Sequence, residues 1–195
     1  MGIHPHFAAA AAESDWEGLE ELARESHVAA IGEIGLDFFR NLSPPDVQRA
    51  AFARQLDLAA RVGKPVLVHD REAHSEITTA LLGWLGPGRS VRGVLHCFSG
   101  DAPMALALAA AGYLISFALP VTFRSATGPR AAAAELSEGS ILVETDSPWL
   151  APGAGRRNEP TTVLRVVDGL ARLRRTEPEA LARQIGGAYE RLLAS

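Results

Sequence analysis

The chain has 195 residues, 47% hydrophobic and 22% charged, with a formal net charge of −4. That length supports one domain with a sizeable core, and the acidic balance excludes a general duplex-coating surface, which needs a basic face to displace counterions. A single cysteine, Cys97, excludes an internal disulfide framework and fits a reducing, cytoplasmic compartment, while no apolar run approaches a membrane span.

The chain opens MGIHPH, which places His4 and His6 ahead of any regular element. SDWEGLEELARES then predicts a helix, with Ser14 and Glu17 at capping-box spacing. VAAIGE (28–33) predicts a strand that closes on Glu33. PPDVQRAAFARQLDLAARVG predicts a helix with Ser43 as N-cap, Pro44 as its first residue and Gly63 as its stop. PVLVH (65–69) predicts a strand closed by His69, followed by the helical REAHSEITTALLGWLG. RGVLH (92–96) closes on His96 and precedes APMALALAAAG, with Asp101 as N-cap and Gly112 as terminator. YLISFA (113–118) and ILVETD (141–146) complete the series, the last ending in Asp146. Apolar strands without strict alternation, separated by helices, predict a parallel sheet covered by helices. A (β/α) barrel and an open doubly wound sheet both fit. No GxGxxG follows an early strand, which argues against a dinucleotide site.

The strand ends carry the chemistry. In parallel α/β folds the carboxyl ends of the strands open on one face, where active sites gather. Glu33, His69, His96 and Asp146 would converge there as two carboxylates and two imidazoles, a set suited to Zn, Mn or Mg. Singly, each residue has an ordinary reading as a hydrogen-bonded loop histidine or a helix cap. Four at equivalent positions favour a metal site. Cys97 follows His96 with no thiolate-stabilising partner in sight, and alternation turns it away as a buried thiol. His74 and His27 read as surface or supporting residues. Of 19 basic residues only Lys64 is a lysine, so anion contacts fall to arginine, which suits planar recognition of phosphate.

Together GIHPH, AIGEIGLDFFR, PVLVHDREAH, GVLHCFSG, ETDSPWLAP and RRNEP resemble the TatD family of metal-dependent deoxyribonucleases, in the family's order and spacing. The resemblance implies a TIM-type (β/α) barrel that hydrolyses DNA phosphodiesters with one or two divalent ions, acting on DNA ends or single strands. It makes Glu33 the carboxylate able to bridge two metals, with His69 and His96 completing one position. Asp146 would serve the other and orient or deprotonate the attacking water. His4 and His6 would end the family's third strand and face substrate, and Arg71 would contact phosphate. Asp70 is expected to pair with Arg71, and Asn158 and Glu159 to lock the loop after the last strand.

In the family, further residues precede GIHPH and supply the first two strands and most of the third. The resemblance therefore implies a single, incomplete barrel domain over residues 1–195. Missing strands would expose sheet edges, through which the chain could form a homo-oligomer. A start site placed too far downstream is the favoured explanation. Two other functions stay open at this stage. One is a small-molecule hydrolase, although such barrels often bridge metals with a lysine, and Lys64 lies before a strand rather than at its end. The other is an inactive fragment that persists only as an oligomer.

Overall fold

The structure is a computed structural model that describes residues 1–84, 86, 88, 91–153 and 155–194. The described chain forms two compact units, residues 1–95 and 96–194. No helix among the described residues is long and apolar enough to cross a membrane.

In the first unit, strands β1 (Ile31–Asp37), β2 (Val66–Arg71) and β3 (Gly93–Leu95) lie parallel, with β2 between the other two. Helix α1 (Glu13–Leu22) precedes β1, α2 (Pro45–Val62) joins β1 to β2, and α3 (His74–Gly83) follows β2. Ile31, Ile34, Leu36, Leu58, Ile77, Leu81 and Leu95 are buried, each burial stabilising the unit by about 1.5–3 kcal/mol. Parallel strands buried on both faces need no polar alternation, as the apolar runs suggested.

Several boundaries differ from expectation for identifiable reasons. β1 does not close on Glu33 but continues to Asp37, with a register irregularity between Gly32 and Ile34. α2 begins at Pro45 with Pro44 as its N-cap, because the Ser43 hydroxyl is used elsewhere. It donates to the His6 carbonyl at 3.1 Å and accepts the Ala9 N–H at 3.0 Å. Gly63 ends the helix as expected, in the left-handed conformation at φ 67°. At α1 the capping carboxylate is Asp15, which accepts the Ala12 N–H at 2.8 Å, rather than Glu17 reaching Ser14. The helix expected over 71–86 starts at His74 and stops at Gly83, and Leu85 lies outside the described residues.

The first residues form no strand. Met1 nevertheless bonds to the start of β1 on both sides, donating to Ala30 O at 3.0 Å and accepting from Gly32 N at 2.9 Å. Residues Pro5–Phe7 then make a 3-10 turn with His4 as its N-cap. Two buried glutamines of α2 anchor this segment. Gln55 accepts the Ile3 N–H at 2.7 Å and donates to Ile3 O at 3.0 Å. Gln48 accepts the Asp37 N–H at 2.8 Å and donates to the carbonyls of Asp37 and Ser43 at 3.1 and 2.7 Å.

In the second unit β4 (Tyr113–Phe117) and β5 (Ile141–Val143) pair in parallel, Ser116 opposite Leu142. Helix α4 (Ala102–Ala110) precedes β4, with Asp101 capping it through the Met104 N–H at 3.0 Å, as its sequence position suggested. Helices α5 (Thr127–Glu135), α6 (Val163–Arg174) and α7 (Pro178–Ala194) complete this unit around Leu108, Ile115, Ile141, Val166, Leu170 and Leu181.

Replacing Gln48 by Leu keeps the side-chain volume but leaves the Asp37 N–H and the Ser43 carbonyl without this partner and the Asp37 carbonyl with the Asn41 N–H alone. The expected cost is at least about 2–3 kcal/mol, read as a lower midpoint in chemical denaturation with an unchanged slope.

Candidate functional site

In the first unit Glu33, Gly35 and Asp37 alternate along β1, and Gly35 stands opposite His69 in register. Gly35 has φ 136°, and a Cβ there would run into the His69 carbonyl. With no side chain at this position, the imidazole of His69 lies between two carboxylates. Its Nδ1 is 2.8 Å from Glu33 Oε1 and its Nε2 is 3.2 Å from Asp37 Oδ2. His6 Nε2 reaches the same Asp37 oxygen at 2.6 Å. His4 stands beside them, its Nε2 3.7 Å from Glu33 Oε1 and its Nδ1 accepting the His6 N–H at 3.1 Å. Each of His4, His6 and His69 offers a ring nitrogen, the three lying within 4.8 Å of one another.

A neutral imidazole donates from one nitrogen only. His69 faces carboxylate oxygens with both. Asp37 Oδ2 faces two rings while its carboxyl is 1% exposed. A neutral His69 ring can donate to only one of its two carboxylate neighbours, so a cation held here would offset the surplus of acceptors. The mixed nitrogen and oxygen set fits a divalent metal such as Zn or Mn. His4 has a different part. With Nδ1 accepting, its hydrogen sits on Nε2, so it is a donor beside Glu33.

Burial pushes the Asp37 carboxyl up, but the Arg40 N–H together with the His6 and His69 rings outweighs burial and holds its pKa below the ordinary carboxylate value. The Arg40 N–H reaches Asp37 Oδ1 at 2.7 Å.

The second unit carries its own cluster. His96 Nδ1 is 2.8 Å from Glu144 Oε1, and its Nε2 is 3.6 Å from Asp146 Oδ1. The Ser116 hydroxyl donates to Glu144 Oε2 at 2.5 Å. Glu144 Oε1 is buried and receives no well-directed hydrogen bond among the described residues, although the His96 ring lies beside it. A carboxylate oxygen so placed is what a bound cation would satisfy. The chain reverses sharply at both ends of this group, with Cys97 at φ 44° and Asp146 at φ 57°. Asn158, buried, fastens the Asp146 loop. Its Nδ2 donates to Thr145 O at 2.6 Å, its N–H to Pro148 O at 3.1 Å, and its Oδ1 accepts the Glu159 N–H at 2.9 Å.

The structure thus groups Glu33 and His69 with His4 and His6, and groups His96 with Asp146. His4 and His6 stand on a 3-10 turn rather than at a strand end, and they join the imidazole cluster directly. Asp70 pairs with His74 at 2.8 Å instead of the expected Arg71, whose guanidinium lies over the Phe39 ring. Cys97 falls beyond β3, so strand alternation does not orient it. Asn158 is the loop lock that its position suggested. Lys64 donates to Ala23 O and Glu25 O, both at 2.6 Å, and so serves the backbone after α1.

Two carboxylates escaped the sequence reading. Asp37 lies four residues beyond Glu33, the polar residue on which the strand is expected to close, at the true end of β1. The apolar Ile34 and Leu36 between the two acids were the available signal. Glu144 was passed over in favour of Asp146, yet in ILVETD it is the first polar residue after the apolar run.

The sequence profile of the family described as TatD related DNase matches residues 1–194. Among curated relatives, the metal-dependent hydrolase YabD of Bacillus subtilis is 36% identical over 184 residues, covering 93% of this chain and 71% of the relative. The 3'-5' ssDNA/RNA exonuclease TatD of Erwinia billingiae is 40% identical over 197 residues, covering 94% and 72%. The crystal structure of YJJV, a TatD homologue from Escherichia coli K12, superposes with a TM-score of 0.90 at 30% identity, covering all of this chain and 76% of that one. The parallel α/β architecture therefore matches TatD structures of TIM-barrel type.

Two outcomes test these clusters. Zn or Mn added to chelated protein should raise its melting temperature, by about 2.7 kcal/mol of stabilisation at a hundredfold excess over Kd, and His69→Ala should lose most of that shift. Because the folded pKa of Asp37 is depressed, its contribution is present above the unfolded carboxylate pKa and lost as pH falls through the folded value. Acid titration of metal-free protein by circular dichroism should show a shallower loss of stability below that unfolded pKa in Asp37→Asn than in the wild type.

Proposed function

Because the chain belongs to the TatD family of metal-dependent hydrolases, we propose that it is a nuclease cutting phosphodiester bonds at the ends of single-stranded DNA. One or two divalent ions, Mg, Mn or Zn, would be held, with Glu33 and His69 as the ligands in the first unit and His96 and Asp146 as those in the second. The observation that carries this reading is the His69 imidazole set between Glu33 and Asp37, an arrangement that a bound cation would satisfy. A divalent ion there supplies Lewis acidity, which makes water a usable nucleophile near neutral pH and offsets phosphoryl charge.

The remaining work falls to the chain's own groups. In the first unit Glu33 would offer its carboxylate to a metal from the register irregularity in β1, and in the second Asp146 would orient an attacking water and accept its proton. Asp37 fixes the rings of His6 and His69 through one oxygen, so these imidazoles need no reorganisation when substrate arrives. His4, donating from Nε2, and Arg71, at the end of β2, face the phosphate and hold it for in-line attack. The relative from Erwinia billingiae, named as an exonuclease on single-stranded DNA and RNA, supports a nucleic-acid substrate. A lysine-bridged small-molecule hydrolase is disfavoured, since Lys64 is committed to two backbone carbonyls. The reducing, cytoplasmic setting suggested by the lone cysteine agrees with this role.

The test is cleavage of end-labelled single-stranded DNA with Mg, Mn and Zn each supplied. Glu33→Gln should cut the rate by more than the about 10–100-fold that loss of an outer partner brings. Hydrolysis of simple diesters but never of oligonucleotides would move the assignment to small molecules.

A further inference from the structure

Beyond the metal-binding groups, the first unit presents an aromatic ring that its own core does not use. Asp37 and Arg71 end β1 and β2 opposite one another, and the Phe38 N–H donates to Arg71 O at 2.9 Å. The chain then turns tightly, with the N–H groups of Arg40 and Asn41 returning to Asp37 Oδ1 and O at 2.7 and 3.3 Å. Phe39 sits on this turn, two residues beyond Asp37, and is 61% exposed. The Arg71 guanidinium carbon, two residues beyond His69, lies 4.4 Å from the centre of its ring.

An exposed phenylalanine on a short turn gains little from folding. Here the turn is closed by backbone bonds and the ring is steadied by a cation, so it is a rigid surface rather than a loose one. We propose that Phe39 is a stacking platform for one nucleobase of single-stranded nucleic acid, with Arg71 beside it taking the adjoining phosphate. The proposal rests on the nuclease reading and adds how the strand is gripped. Charge complementarity selects this occupant. A guanidinium laid against an open ring matches a ligand that is aromatic and anionic at neighbouring points, as a nucleotide is. Stacking makes no demand on base identity, because every base has a π-face, so the platform confers grip without sequence preference. It also discriminates against duplex, whose bases are already stacked on each other.

The test is equilibrium binding of fluorescein-labelled oligonucleotides, measured by anisotropy in calcium so that no cleavage is needed. A single-stranded deoxyadenylate decamer is compared with an abasic decamer of equal charge. Phe39→Leu keeps apolar bulk and removes the π-face. It should weaken binding of the base-containing strand by about fivefold to about 150-fold, the loss that goes with one base–aromatic stack, and leave the abasic strand unchanged. Phe39→Trp should restore or tighten binding, and Tyr189→Ala, an exposed aromatic on α7, should change neither. Equal weakening of both strands, or no effect on either, overturns the platform, as does failure of the wild type to prefer the base-containing strand. Hydrolysis of bis(p-nitrophenyl) phosphate by the same variants separates the two readings. Wild type active on this diester but indifferent to bases sinks the platform alone, whereas inactivity on every diester with every metal sinks the nuclease reading itself.

Discussion

Two buried glutamines on one helix set the geometry of the first unit. Gln48 and Gln55 lie seven residues apart on α2, hence on the same face, and both are essentially inaccessible to solvent. Gln55 takes both backbone groups of Ile3, and Gln48 takes both backbone groups of Asp37. An amide has a donor and an acceptor, so each side chain imitates a strand neighbour for one residue. Backbone groups that a sheet neighbour would otherwise satisfy are thereby paired by a helix. The consequence is chemical as well as structural, because Ile3 carries His4 and His6 behind it and Asp37 is the carboxylate that meets His6. Such a bond is worth about 1 kcal/mol net, but losing one buried partner costs about 1–3 kcal/mol for each group abandoned.

The cluster built on that frame holds its rings by carboxylates on both sides. His69 is held at both nitrogens, His6 at one, and His4 by a backbone N–H that fixes where its hydrogen sits. Held rings do not have to be ordered when an ion or substrate arrives, which is where preorganised sites gain their advantage. The second unit repeats the logic with fewer parts, His96 between Glu144 and Asp146, and Ser116 fixing the far oxygen of Glu144. In both units a carboxylate just past the apolar part of a strand orients an imidazole from the neighbouring chain segment.

The net charge of −4 also finds a local explanation. Five carboxylates, Glu33, Asp37, Asp70, Glu144 and Asp146, lie against histidines, and several arginines are engaged with carboxylates, aromatic rings or backbone carbonyls. Arg49 and Arg54 are engaged with Glu76 and Glu13 on the surface of the first unit, contacts that add little stability when exposed. Arg71 lies against Phe39 at the strand ends. A negative overall balance disfavours indiscriminate binding to duplex.

The run of apolar segments, each followed by a helix, was enough by itself to determine parallel strands, and polar residues next to the apolar runs singled out Glu33, His69, His96 and Asp146, although Glu33 lies inside β1 and Asp146 three residues past β5. Local chemistry also determined the helix stop at Gly63 and the cap at Asp101, because each depends on backbone groups only a few residues distant. Tertiary structure alone decided the rest. Ser43 reads locally as a helix cap, yet its hydroxyl goes to His6 and Ala9, partners more than thirty residues away in sequence. Asp37 and Glu144 read as ordinary strand-end acids, and only pairing with distant imidazoles makes them part of a site. His4 and His6 carry no periodic signal at all, so their place beside His69 depends on the amides of α2. Short-range propensity acts through the nearest few residues, whereas a ligand cluster is assembled by side chains that meet only when strands and helices pack.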